Sequence, residues 1–370
     1  MKLTCSKSKL VESINIVSKA IGSKTTMPIL ECCLLTVESD GFKLMANDTE
    51  LAIETHKVEA DIQKEGSVAL DSKVFFDIVR RMPGSEITIS VDEKRLALIK
   101  SDRSEFKILG MNPEEFPSLP EVEKINSINL PAAELKNMIR QTIFSVSQDI
   151  SKPVLCGELL EIDSNYVKMV SSDGYRISLK RYGYKGDAAN AEKVVIPGKT
   201  LGEVGKILPS DDESVTKIYI SDKHILFETL NCTIVSRLLE GNYINYDRVF
   251  TKEGETIIVV DRTSLLESID RASLISRDTK KSPVRLKMEE GCMVITSNTE
   301  IGAAYEEIAV EQDGPDLEIE FHPRYLSDAL KVMDEQRVIM EFTTSNLPCV
   351  IKPENNEDHI YLVMPLRMRR

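Results

Sequence analysis

Three times along the chain, apolar residues recur at the spacing of one helix face: Leu10, Ile14 and Val17; Leu135, Ile139 and Ile143; Leu265, Ile269 and Ala272. Each of these stretches leads through a polar loop into an apolar strand, a turn and a second strand. The second strands end on Asp48, Asp173 and Asn298, successive positions 125 residues apart. A second helical pattern follows in "LDSKVFFDIVRRMP", "IPGKTLGEVGKILP" and "FHPRYLSDALKVMD". It carries a basic residue (Lys73, Lys199, Arg324), an apolar residue two later (Phe75, Leu201, Leu326) and an acid two beyond that (Asp77, Glu203, Asp328). The spacing predicts helices over 6–20, 72–82, 133–146, 198–208, 263–281 and 323–333. "EITISV", "RLALIK", "VTKIYIS", "HILFETL", "RVIMEFT" and "CVIKPE" alternate with period two, which reads as antiparallel sheet.

The unit is helix, strands, helix, strands, repeated three times. At 370 residues the chain exceeds one ordinary core. The expected fold class is therefore α+β, with three tandem similar domains, each of two helices packed on antiparallel sheets. The expected boundaries are 1–125, 126–252 and 253–370, with polar connectors at 121–131 and 250–257.

Composition narrows the setting. Hydrophobic residues make up 42% and charged residues 29%, and no apolar run approaches the roughly 20 residues that span a bilayer. "MKLTCSKSKLVESI" lacks an apolar core stretch, so no signal peptide is expected. Seven cysteines form no CxxC pair, and Cys32 and Cys33 are neighbours in a strand whose side chains alternate faces. Reduced, mostly buried thiols in a cytoplasmic protein explain this usage.

The formal net charge is −13, from 60 Asp plus Glu against 47 Lys plus Arg. Across the six predicted helices the balance reverses, with 16 basic residues against 8 acidic ones. If those helices share a face, it attracts a phosphate backbone without reading sequence. The competing reading is six solvated helix faces.

No phosphate-cradling GxxxxGK[ST], no HExxH and no paired-cysteine metal spacing occurs. His56, His224, His322 and His359 lie far apart. In "SSDGYRIS" the Ser-Asp pair fills a slot that reads "ANDTE" and "SNTE" in the other repeats, so it is a turn with Asp-Gly chemistry. No catalytic residue, metal or cofactor is expected.

With "MPIL" (27–30), "SSDGYRIS" (171–178), "NYINYDRVF" (242–250) and "YLVMPLRM" (361–368), the whole chain resembles the bacterial replicative sliding clamps, the β subunits of DNA polymerase III. The resemblance implies a non-enzymatic, head-to-tail homodimeric ring around double-stranded DNA that gives the replicative polymerase its processivity. It also implies docking of the polymerase, the clamp loader and other proteins bearing a clamp-binding motif, with no membrane partner. By the same resemblance, the dimer junction uses Arg103, Phe106, Lys107 and Ile108 against Leu274 and Ile275. The DNA-facing residues are Lys24, Lys73, Arg80, Gln148, Lys199, Arg277 and Lys281. A peptide pocket takes Leu155, Ser172, Gly174, Tyr175, Arg176, Ile177, Ile244, Arg248, Val249, Leu362, Met364, Pro365, Leu366, Arg367 and Met368. Departures from the family pattern are Glu105, between the two apolar junction positions, the sparsely acidic "TEIGAAYEE", and Tyr175 and Ile244 where His and Pro are common. Arg369 and Arg370 extend past the usual end. The rival readings are an interaction scaffold that does not encircle DNA, and a hydrolase or transferase with a divergent site in one repeat.

Overall fold

Among the described residues, six α-helices form where the apolar spacing puts them: α1 Lys7–Val17, α2 Ser72–Arg81, α3 Ala132–Thr142, α4 Gly198–Ile207, α5 Arg262–Ala272 and α6 Pro323–Val332. The computed structural model describes residues 1–22, 25–125, 127–184, 192–211, 213–250, 254–276, 283–289 and 291–366. The anchor residues of the helical pattern are buried, apart from the half-buried Ile143, and Phe75, Leu201 and Leu326 are fully buried. Three helices stop earlier than their periodicity: α3 gives way to the 3₁₀ turn Ile143–Ser145 at Thr142, whose Oγ1 donates to Met138 O at 2.8 Å, and α1 and α5 end in the same manner. Ser18 Oγ donates to Asn15 O at 3.0 Å and Ser273 Oγ donates to Asp270 O at 2.8 Å. A serine hydroxyl that takes a helix carbonyl competes with the backbone ladder, and both chains tighten into 3₁₀ turns, Ser18–Ala20 and Ser273–Ser276.

Two compact units contain these elements. Met1–Lys136 with Glu203–Leu238 makes the first, and Asn137–Gly202 with Leu239–Arg370 the second. In the first, a five-stranded sheet runs Asp61–Lys64, Lys2–Ser6, Glu86–Val91, Leu96–Ser101, Ser104–Leu109. Its eight-stranded sheet runs Ile128–Pro131, Val215–Ile220, His224–Glu228, Cys232–Arg237, Leu51–Thr55, Gly41–Asn47, Cys32–Glu38, Gly66–Asp71. In the second, a nine-stranded sheet runs Glu192–Pro197, Gly157–Ile162, Tyr166–Ser172, Arg176–Gly183, His359–Val363, Cys349–Pro353, Arg337–Phe342, Thr256–Asp261, Glu311–Asp313. A four-stranded sheet there runs Gly302–Ala309, Cys292–Thr299, Val284–Glu289, Leu317–Phe321.

Each large sheet joins strands of successive repeats. Ala52 pairs with Val235 in one, and Ile177, 125 residues after Ala52, pairs with Leu362 in the other. The shared turn slot is equally concrete. Asp48 Oδ1 accepts from the backbone N–H of Glu50 and Leu51, and Asp173 Oδ1 from those of Tyr175 and Arg176. Cys32 and Cys33 point to opposite faces of a sheet buried on both, and burial pushes the Cys32 thiol up to about 11.

A basic side chain on the first helix of every repeat reaches the carbonyl end of the second. Lys7 donates to Met82 O, Lys136 to Leu208 O at 3.0 Å, and Arg262 to Leu330 O at 3.2 Å. A cation at the carbonyl end satisfies orphan acceptors and opposes the helix dipole. Arg140 is likewise held by Asp334 and Val332 O, and Arg271 by Glu306 at 2.6 Å. Part of the positive excess on the helices is therefore consumed within the fold.

Candidate functional site

Two ladders of cross-strand neighbours occupy matching places in the two large sheets. In the first unit the ladder is Tyr219, Leu226, Val235, Ala52 and Asn47. In the second it is Glu341, Val350, Leu362, Ile177 and Ser172. The connector after the first repeat lies on its ladder: Leu119 and Val122 pack on Tyr219, Leu226 and Val235. Lys124 anchors it further, 2.5 Å from Glu228 and 5.8 Å from the Tyr219 ring centroid. On the second ladder the surface stays open. A cavity of about 220 Å³ is lined there by Arg248, Val249, Gly254, Glu341, Thr343, Leu347, Pro348, Val350 and Leu362.

Leu362 also belongs to an apolar cluster with Leu159, Val170, Ile177, Leu179, Val195 and Tyr246, against which Tyr243, Ile244, Phe250 and Val350 pack, so the cavity is continuous with that core through Leu362 and Val350. Sequence reasoning named Arg248, Val249 and Leu362, which line the cavity, and Ile177 and Ile244, which belong to the apolar cluster around Leu362 but do not line it. It missed Gly254, Glu341, Thr343, Leu347, Pro348 and Val350, which lie at the start of strand Thr256–Asp261 and on the hairpin of Arg337–Phe342 with Cys349–Pro353. One signal was available: Leu347-Pro348 is an apolar pair inside the polar turn "TTSNLPC".

The other named residues take different parts. Arg176 is 5% exposed, and its guanidinium points inward. Nε donates to Asp173 at 3.0 Å, one terminal nitrogen to Asp328 at 2.7 Å and the other to Phe144 O at 2.7 Å. It lies between the rings of Phe144 and Tyr325, at 5.2 and 4.6 Å. Arg176 is thus held inside the unit by those three bonds and does not line the cavity. Ser172 Oγ donates to Arg176 O and accepts from Gly174 N–H, and Gly174 adopts φ +89°. Leu155 is buried in the turn Pro153–Cys156 and does not line the cavity.

Tyr175 is 61% exposed and stacks on Tyr325 at 6.2 Å, which stacks in turn on His322 at 4.7 Å. Tyr325 and His322 were not anticipated, because their helix reads as ordinary core pattern. Burial, with Arg324 and Arg176 nearby, lowers the His322 pKa, so the ring stays neutral. Met364 is 39% exposed, and its N–H donates to Tyr175 O at 2.8 Å. After the half-buried Pro365 the chain crosses to another sheet, where the half-buried Leu366 N–H donates to Glu320 O at 2.7 Å. Pro365 ends one strand and redirects the chain. Arg367, Met368, Arg369 and Arg370 lie outside the described residues.

Elsewhere, Lys73, Arg80, Gln148 and Lys199 are exposed, whereas Lys24, Arg277 and Lys281 fall outside the described residues. Arg103 and Lys107 are exposed and Ile108 and Ile275 half-buried. Phe106 is 47% and Leu274 52% exposed, so neither fills the core of its own domain. Lys100 and Lys107 sit 2.8 and 3.4 Å from Glu105 and hold its carboxyl below the usual range.

Profiles for the DNA polymerase III beta subunit match in sequence order: the N-terminal domain over residues 1–120, the central domain over 129–245 and the C-terminal domain over 247–367. The beta sliding clamp of Bacillus subtilis strain 168 is 34% identical, covering 99% of this chain and 100% of that protein. A crystal structure of a putative DNA polymerase III beta subunit from Eubacterium rectale superposes with a TM-score of 0.95 at 40% identity, over 100% of both chains. A Pseudomonas aeruginosa sliding clamp solved with griselimycin bound gives a TM-score of 0.95 at 27% identity, again over 100% of both chains.

Proposed function

The chain belongs to the DNA polymerase III beta subunit family, the beta sliding clamps, and from that premise we propose that two copies close head to tail into a ring around duplex DNA. It is a DNA sliding clamp, a processivity factor and not an enzyme, whose partners are DNA and the polymerase. No described helix is long and apolar enough to cross a membrane. A cytoplasmic site of action, and domains at 1–125, 126–252 and 253–370, are part of the proposal.

One observation carries the ring. Ser104–Leu109 is the outermost strand of its sheet, Gly302–Ala309 is the outermost strand of another, and both expose large apolar residues. Phe106 and Leu109 stand out on the first, and Tyr305, 65% exposed, on the second. Exposed edges invite pairing unless they are covered. A heterologous contact between two such edges repeats around an axis and closes when its rotation permits. In this reading strand 104–109 of one copy lies along strand 302–309 of the next. Phe106 and Ile108 meet Leu274 and Ile275 there, flanked by Arg103 and Lys107.

The ring's inner face would present Lys24, Lys73, Arg80, Gln148, Lys199, Arg277 and Lys281 to phosphate. The cavity over Val350 and Leu362, with Met364 and Tyr175 beside it, would receive apolar peptide segments of the polymerase, the clamp loader and other clamp-binding proteins. Methionine and leucine repack around different ligands, as a shared docking site requires. Griselimycin, bound by the Pseudomonas clamp, is the probe for this pocket. Its affinity should fall in Met364→Ala or on deletion of 366–370 while the dimer persists.

Light scattering at micromolar concentration tests the ring first. Twice the 41.6 kDa chain mass is expected, followed by retention on circular DNA and loss on linear DNA. A stable monomer refutes the ring. A dimer that leaves circular DNA as fast as linear DNA favours a scaffold without encirclement.

A further inference from the structure

Strand Gly157–Ile162 is buried along all six residues, yet it carries two carboxylates. Burying a charge is costly unless it is paired and hydrogen-bonded. Glu161, 5% exposed, meets that condition. Its Oε1 accepts from Lys193 Nζ at 2.5 Å, its Oε2 accepts from Tyr246 Oη at 2.5 Å, and Lys168 Nζ lies 3.7 Å from Oε2. Lys168 also donates to Tyr246 Oη at 3.3 Å and sits 5.6 Å from the centroid of that ring.

Tyr246 links this charged cluster to the pocket. It belongs to the apolar cluster that holds Ile177 and the cavity-lining Leu362. Its carbonyl accepts from Val249 N–H at 3.0 Å, opening the turn Asp247–Val249 that gives Arg248 and Val249 to the cavity wall. The phenol is thus gripped at its hydroxyl by Glu161 and Lys168 and at its backbone by the wall. With Glu161 and Tyr246 buried and Lys193 reaching in from the surface, a hydrogen-bonded network of this kind fixes one geometry, where an apolar contact would tolerate several.

We propose that Glu161, acting through Tyr246, is a positioning residue that holds the Arg248–Val249 wall of the pocket in its ligand-ready geometry. The inference rests on the reading of the cavity as a docking pocket. Burial raises the Glu161 pKa, but the bonds from Lys193 and Tyr246 and the charge of Lys193 and Lys168 more than reverse it, so the carboxylate stays ionised.

The test is griselimycin affinity by calorimetry on the full-length protein, with Y246F, E161Q, their double variant and V249D. Y246F removes the hydroxyl that donates to Glu161 and accepts from Lys168, and E161Q removes the charge that strengthens the bond to that hydroxyl, so each should weaken binding about 3- to 10-fold. The double variant should bind no more weakly than the weaker single one, because residues acting through one contact are not additive. Unchanged dimer mass and melting temperature in Y246F would separate positioning from a loss of fold. The proposal is overturned if both single variants bind as the wild type does, or if their effects multiply, while V249D abolishes binding. No binding by the wild type, or wild-type affinity in V249D, sinks the pocket reading and this inference with it. Should E161Q fail to fold, Y246F decides alone.

Discussion

Replacing Arg176 should destabilise the second unit through charge as well as lost contact. The guanidinium makes three hydrogen bonds, two of them to carboxylates, and lies between two aromatic rings. Removing one partner of a fully buried ion pair costs about 3–5 kcal/mol, because the other charge is left without compensation. Here the side chains of Asp173 and Asp328 retain 16% and 22% exposure, and Arg324 stays 3.4 Å from Asp328. Water and that second cation recover part of the loss, which sets the cost of Arg176→Met at about 3 kcal/mol. For a unit of this size the melting temperature should drop by about 6–12 °C. Methionine keeps most of the stem volume, so the drop isolates the charge and its bonds. Arg176→Lys keeps the charge without the planar fork and should fall between the two. Scanning calorimetry at fixed pH and salt reads all three. An Arg176→Met transition within about 2 °C of the wild type would refute the reasoning and leave Arg176 a spacer.

Four further outcomes follow from the same structure. Leu109→Asp, at a residue 71% exposed on an outer strand, should leave the melting temperature unchanged and weaken the dimer at least about 30-fold by light scattering dilution; an intact dimer would remove this edge from the junction. Burial pushes the Glu158 carboxyl up to about 8 from 4.5, against a hydrogen bond from Thr142. The folded form therefore holds a proton that the unfolded form releases above its own pKa, so stability declines from about pH 4.5 to about pH 8, by about 3 kcal/mol at pH 7. Glu158→Gln should flatten that decline, and parallel pH profiles of denaturation would contradict it. Gly174→Ala should cost about 1–2 kcal/mol, because φ is +89° while an added Cβ meets no atom within 4 Å; a larger loss would mean hidden crowding. Lys73→Glu with Lys199→Glu should shorten residence on circular DNA and reduce the salt dependence of binding without changing dimer mass, and unchanged residence would take both residues off the DNA face.

The alternation of apolar residues determined much of this protein. Leu10, Leu135 and Leu265 repeat because each anchors a helix on a sheet, and that face is fixed by local periodicity. Asp48 and Asp173 were legible as turn residues because an Asx turn needs only the next three residues of chain. Arg248, Val249 and Leu362 were reachable because their motifs are short and contiguous. Pairing partners were not legible: period two says which side of a strand is buried, not which strand lies beside it. The tertiary structure alone put Leu362 next to Ile177 and Val350, and only that placement makes a cavity. The direction of Arg176 was hidden for the same kind of reason. A guanidinium beside an apolar motif reads as available to a ligand until Asp328, 152 residues away, is found against it. Glu161 and Tyr246, 85 residues apart, meet only once the sheet has formed. Local chemistry chose the elements. Long-range register chose the neighbours, and through them which charges were spent inside and which surface stayed open.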